Sequence, residues 1–129
     1  MTPGGESFER ILKALQERAK ELDCLYRVDE ILGHSTADQD DTLARVVEAL
    51  PRGWQYPDDC AARIVVGDHA YETRGFHHGP WVMRATIVVD GDRAGEVSVA
   101  YAAAHPDADE GPFLKEERRL IDAIAERLG

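Results

Sequence analysis

The chain has 129 residues, enough to bury one hydrophobic core and short for two domains of ordinary size. Hydrophobic residues make up 43% and charged residues 31%, a globular balance that argues against general disorder. The formal charge of −10 repels phosphate backbones and anionic head groups, so no nucleic acid and no membrane surface is expected as a partner. No apolar run approaches the roughly 20 residues of a bilayer span, and Met1 to Glu6 lacks the basic-then-apolar order of a signal peptide. A cytoplasmic location is expected.

Residues 1–6 read as a disordered lead, and 7–129 as a single domain. A helix is predicted from Ser7 to Leu32, with Phe8, Ile11, Leu12, Leu15, Ala19, Leu22, Leu25 and Tyr26 as its apolar stripe. Ser7 is the expected N-cap and Gly33 the expected C′ residue. A second helix is predicted from Asp38 to Leu50, with Leu43, Val46, Val47 and Leu50 inward, and Pro51 ends it. The aromatic segment Trp54-Gln55-Tyr56-Pro57 follows.

The middle of the chain alternates with period two. Ala62, Ile64 and Val66 read as one buried row, with Arg63 and Val65 opposite, and Gly67-Asp68 turns into a strand from Ala70 to Arg74. Met83, Ala85, Ile87 and Val89 form another buried row, opposed by Arg84 and Thr86. Asp90-Gly91 signals a tight hairpin, because both residues tolerate positive φ. Val97, Val99 and Tyr101 complete the rows, opposed by Glu96 and Ser98. After a polar loop, a last helix runs from Pro112 or Phe113 to Leu128, with Leu114, Glu117, Ile121, Ile124 and Leu128 on one stripe. The expected fold is α+β: an antiparallel sheet of four or more strands with N- and C-terminal helices packed on one face.

The segments Leu22-Asp23-Cys24-Leu25-Tyr26, Trp54-Gln55-Tyr56-Pro57, Ala62-Arg63-Ile64, Val88-Val89-Asp90-Gly91 and Gly111-Pro112-Phe113-Leu114-Lys115-Glu116-Glu117-Arg118 through Gly129 carry a resemblance. The chain from about Leu15 resembles the GAF-like domains attached to bacterial sensor histidine kinases and related signalling proteins. The resemblance implies a GAF/PAS-like architecture, a sensory role, a kinase or other output domain as partner, and terminal helices that pair across a homodimer. No output domain is encoded here, so the resemblance implies either a free-standing relative or a segment of a longer protein. Larger GAF domains roof their pocket with a helical insertion. Here only Gly75 to Pro80 joins two strands, so a deep closed pocket is not expected.

The polar sheet face is the candidate ligand site. Arg63, Arg84, Thr86, Glu96 and Ser98 project together, and two arginines suit a small anion. The alternative is a plain solvated face. Trp81 and His77 join the candidate ligand-binding set from the flanking loop, although the aromatics Trp54, Tyr56, Phe76 and Trp81 equally suit packing at the core's ends. Adjacent His77 and His78, with His69 and Asp68, invite a metal reading. Neighbouring side chains in extended chain point apart, however, so a solvated loop is expected, with no metal and no cofactor. Cys24, one of two cysteines, reads as buried and structural, with a redox switch as the lesser reading. The acidic runs around Asp40 and Asp109 lack calcium-loop spacing, and no Walker, GxGxxG or GxSxG motif occurs.

Both terminal stripes look larger than one small sheet needs. Ile11, Leu15 and Leu22, with Ile121, Ile124 and Leu128, are therefore the candidate dimer interface, unless both helices simply cover the core. The expected function is a non-catalytic, dimeric sensory domain binding a small effector. A ligand-free interaction module, or a small-molecule enzyme using histidine or cysteine, are the alternatives.

Overall fold

A computed structural model of the chain describes residues 4–34 and 38–129. Two tight turns build the sheet. Gly67, at φ +59°, joins β1 (Cys60–Val66) to β2 (His69–Glu72). Asp90 and Gly91, at φ +52° and +82°, form the paired left-handed corner that joins β3 (Val82–Val89) to β4 (Asp92–Tyr101). The hairpins meet through β1 and β4, giving the all-antiparallel order β2-β1-β4-β3. At the seam Gly95 passes so close to β1 that a Cβ there would lie 1.9 Å from the Val65 carbonyl oxygen.

Strand alternation places Ala62, Ile64, Met83, Ala85, Ile87, Val97 and Val99 on one dry face, as expected. The buried row of β3 ends at Ile87: Val89, the last residue of the strand, is exposed, and the register shift between Ile87 and Val88 leaves Ala94 of β4 as the unpaired residue. Helix α2 (Gln39–Ala49) lies over β1 and β2, and α3 (Lys115–Leu128) lies over β3 and β4. The Asp38 carboxylate caps α2 by accepting from the Asp40 and Asp41 amides at 3.0 and 3.3 Å.

Helix α1 (Gly4–Gly33) departs from the sequence expectation. It packs on α2 and α3 as an outer layer and does not lie on the sheet beside α3. Four strands about 4.8 Å apart span little more than two helices packed 8–10 Å apart, so α2 and α3 already fill that face. Helix α1 begins at Gly4, so residues 4–6 are helical and not a loose lead, and Ser7 lies inside the helix; residues 1–3 lie outside the described residues. Gly33 is the last helical residue and keeps a negative φ, so no left-handed C′ forms there.

Only one side of α1 is spent on the core. Glu21, Cys24 and Val28 are buried against the inner layer, while Phe8, Ile11, Leu15 and Leu22 are each more than half exposed. Helix α3 behaves differently. Ile121 and Ile124 are fully buried, and Leu128 packs against the same core. These three side chains are spent within their own chain, which corrects their place in the expected dimer interface. Among the described residues, no helix is long and apolar enough to cross a membrane.

Candidate functional site

The strand order forces the site. β2 and β3 lie at opposite edges, so the connection 73–81 must cross β1 and β4. Helices cover one face, and the connection crosses the other as a strap. Ala61 and Ala100, with small side chains, line the hollow beneath it together with Arg74, Gly75 and His77. The strap therefore covers one half of the polar face and leaves the other half open.

Across that face the register aligns Glu72, Arg63, Ser98 and Arg84 in a single row, one residue from each strand. The next row in the same direction carries Val65, Glu96 and Thr86. The open half is a hollow of about 400 Å³ lined by Arg63, Val65, Gly67, Arg93, Glu96 and Ser98, among others. Arg84 and Thr86 flank it from β3.

Two carboxylates and three guanidiniums share this surface. Arg63 Nε lies 2.9 Å from Glu72 Oε2 as an ion pair whose N–H is not aligned for a hydrogen bond. Glu96 is gripped from both sides, by Arg84 Nε at 3.2 Å and Arg93 Nη2 at 2.8 Å, and its other contact is the donating Ser98 hydroxyl at 3.1 Å. Ser98 is itself almost wholly buried, so it acts as a fixed post between the two arginines. The local excess is one positive charge on a chain whose total is −10.

The strap adds His78. Its imidazole stands between the arginines, with Arg63 Nη1 3.1 Å from Nε2 and Arg84 Nη2 3.4 Å from Nδ1. Phe76 packs edge-on against it, with ring centroids 5.2 Å apart. Of the candidate residues, Arg63, Arg84, Thr86, Glu96 and Ser98 do share one face. His77 does not join them: it faces the smaller hollow beneath the strap, near Asp58, Asp59 and Arg74. Trp81 does not either, because it packs against the hydrophobic core. Glu72, His78 and Arg93 are the members that sequence reasoning missed. Adjacent histidines in extended chain point apart, which says that one of the pair differs from the other but not which one faces the sheet.

The remaining reactive groups serve packing. Cys24 is fully buried, its thiol donates weakly to the Ala49 and Leu50 carbonyls, and burial pushes its pKa up to about 12. Burial also raises Cys60. Such thiols do not form the thiolate a nucleophile needs. Trp54 is buried, and Tyr56 stacks on His105, whose Nε2 lies 2.7 Å from Asp59 Oδ2. Asp59 also accepts from the Ala103 amide, which holds its carboxyl below the usual range, so this cluster fastens the end of β4. Among the described residues, no group of three or more histidine, cysteine or acidic side chains is arranged to hold a metal.

Compared with family models, curated proteins and solved structures, the chain matches none.

Proposed function

We propose that this chain is a non-catalytic sensory domain of a bacterial signalling system, GAF-like in design, which binds a small anionic effector and acts as a homodimer. The observation that carries the reading is the Arg63–Ser98–Arg84 row at the border of the open half-face, where only His78 of the strap stands between the two guanidiniums. Guanidiniums recognise carboxylate and phosphate through paired donors, and a local positive excess on an acidic protein concentrates small anions at one place. The strap above the row links β2 to β3, so an effector bound there acts on the relative setting of the sheet edges and on the helices packed over them. A kinase or other output domain is the partner this reading calls for, in the cytoplasm. Buried thiols with raised pKa values weigh against the cysteine enzyme.

A thermal-shift screen of small metabolites and metals tests the proposal. An anionic effector at about 100 times its Kd adds about 2.7 kcal/mol and raises the melting temperature saturably. Arg63→Gln or Arg84→Gln removes that shift while leaving the unliganded melting temperature within about 2 °C, as for other surface changes. A flat response across the screen overturns the effector.

One feature favours a second reading, a ligand-free interaction module. Phe8, Leu12, Leu15, Ala19, Leu22 and Tyr26 recur at alternating four- and three-residue steps, and all are exposed. At about 3.6 residues per turn they lie on the side of α1 away from Cys24 and Val28. That spacing and exposure fit the seam of a two-stranded coil. In a parallel pair Arg18 of one helix falls beside Asp23 of the other, whereas antiparallel pairing sets Glu9 against Asp23.

A further inference from the structure

The contact between His78 and the two arginines cannot be satisfied from within the chain. A neutral imidazole offers one acceptor nitrogen, and a protonated one offers none. Yet both ring nitrogens face a guanidinium, which only donates. In either protonation state at least one of the two contacts sets donor against donor. The two nitrogens are also spaced about as the two oxygens of a carboxylate, and each oxygen of an oxyanion accepts.

We infer that His78 is an internal plug, occupying the place of an oxyanion ligand, and that a ligand bearing a carboxylate or phosphate group enters between Arg63 and Arg84 by displacing it. The inference rests on the effector reading above and adds both the ligand class and the competition that regulates its entry. A neutral ligand has nothing to gain there, because it cannot satisfy both guanidiniums better than the ring does. Release of His78 breaks its edge contact with Phe76 and frees the strap from Arg63 and Arg84 together. Ligand arrival is thereby coupled to the movement of a segment that spans the sheet from edge to edge.

Calorimetric titration with inorganic phosphate and, separately, with succinate tests the inference on wild type and His78→Ala. Removing the competitor raises affinity by about tenfold, because the binding-competent state no longer has to be vacated first. Phe76→Ala, which loosens the plug without touching the arginines, shifts affinity the same way by less. Arg84→Gln in the His78→Ala background abolishes binding, which locates the gain. Phosphate binding without succinate binding, or the reverse, assigns the ligand to one chemistry. Equal or weaker binding by a folded His78→Ala overturns the plug and leaves the anion site standing. Absence of binding by wild type and His78→Ala alike, to both probes at 10 mM, roughly the weakest range worth calling a site, overturns plug and site together.

Discussion

Helices α1 and α3 carry similar apolar periodicity, and the sheet treats them differently. Helix α3 lies over β3 and β4 and buries Leu120, Ile121, Ile124 and Ala125 in the core, and its only buried charge is held by main-chain donors. Glu117 is 1% exposed and accepts from the Leu114 and Gln55 amides, both at 2.7 Å. Helix α1 reaches the core only from about Glu21 onward, and on the opposite side it leaves a full apolar stripe in solvent. Periodicity records that a helix has an apolar face. It does not record whether the surface that covers that face belongs to the same chain. The difference separates residues that hold the fold from residues free to do something else.

The sharpest way to break this contrast is at Ile124. Ile124→Ala removes fully buried methyl groups from the core and is expected to cost about 3–4 kcal/mol in urea unfolding. A loss under about 1 kcal/mol would mean that α3 is not anchored as described.

Glu117 gives an intermediate effect with a pH signature. Burial raises its pKa in the folded protein above the ordinary 4.5, so the folded state keeps the proton longer than the unfolded one. Stability therefore falls as pH rises above 4.5 through the folded value. Glu21, raised by burial too, adds to the same slope. Glu110, lowered by the Arg118 hydrogen bond, acts the other way: its contribution is present above 4.5 and is lost as pH falls below that. Glu117→Gln keeps one acceptor and is expected to cost about 1–2 kcal/mol near pH 4.5, from the amide left unpaired. The gap to wild type then narrows as pH rises. A gap that stays constant across the range would show that Glu117 titrates normally.

The smallest stability effect belongs to α1. Leu15→Glu is expected to change monomer stability by no more than about 0.5 kcal/mol, since its side chain touches little of its own chain. The same substitution, paired with Leu22→Glu, should convert a dimer to a monomer in light scattering. A wild-type chain that scatters as a monomer at high concentration removes the second copy from the account.

The sheet was the most legible part of the fold. Period-two alternation from Ala62 to Tyr101 gave the correct inward residues, and Asp90-Gly91 gave the hairpin, because both signals are local. The stacking of α1 outside α2 and α3 was not legible, since it depends on sheet width. The arginine row could be read from alternation alone. His78 could not, because its position depends on which hairpin strands lie at the edges, and either arrangement fits the same sequence. Val89 is exposed because it is the last residue of β3, and periodicity does not mark where a strand runs out of cover.

β3 ends the sheet with eight residues and, among the described residues, no strand beyond it, the kind of border at which separate molecules pair and precipitate. Arg118, from α3, reaches over that border. It donates from Nη1 to the Arg84 carbonyl oxygen at 2.6 Å, while Nε and Nη2 hold both oxygens of Glu110. One acceptor that an incoming strand would need is thus already taken, and a bulky charged pair sits where that strand would dock. The same residue that fastens the last loop to the last helix thereby guards the β3 border of the sheet against pairing with another strand.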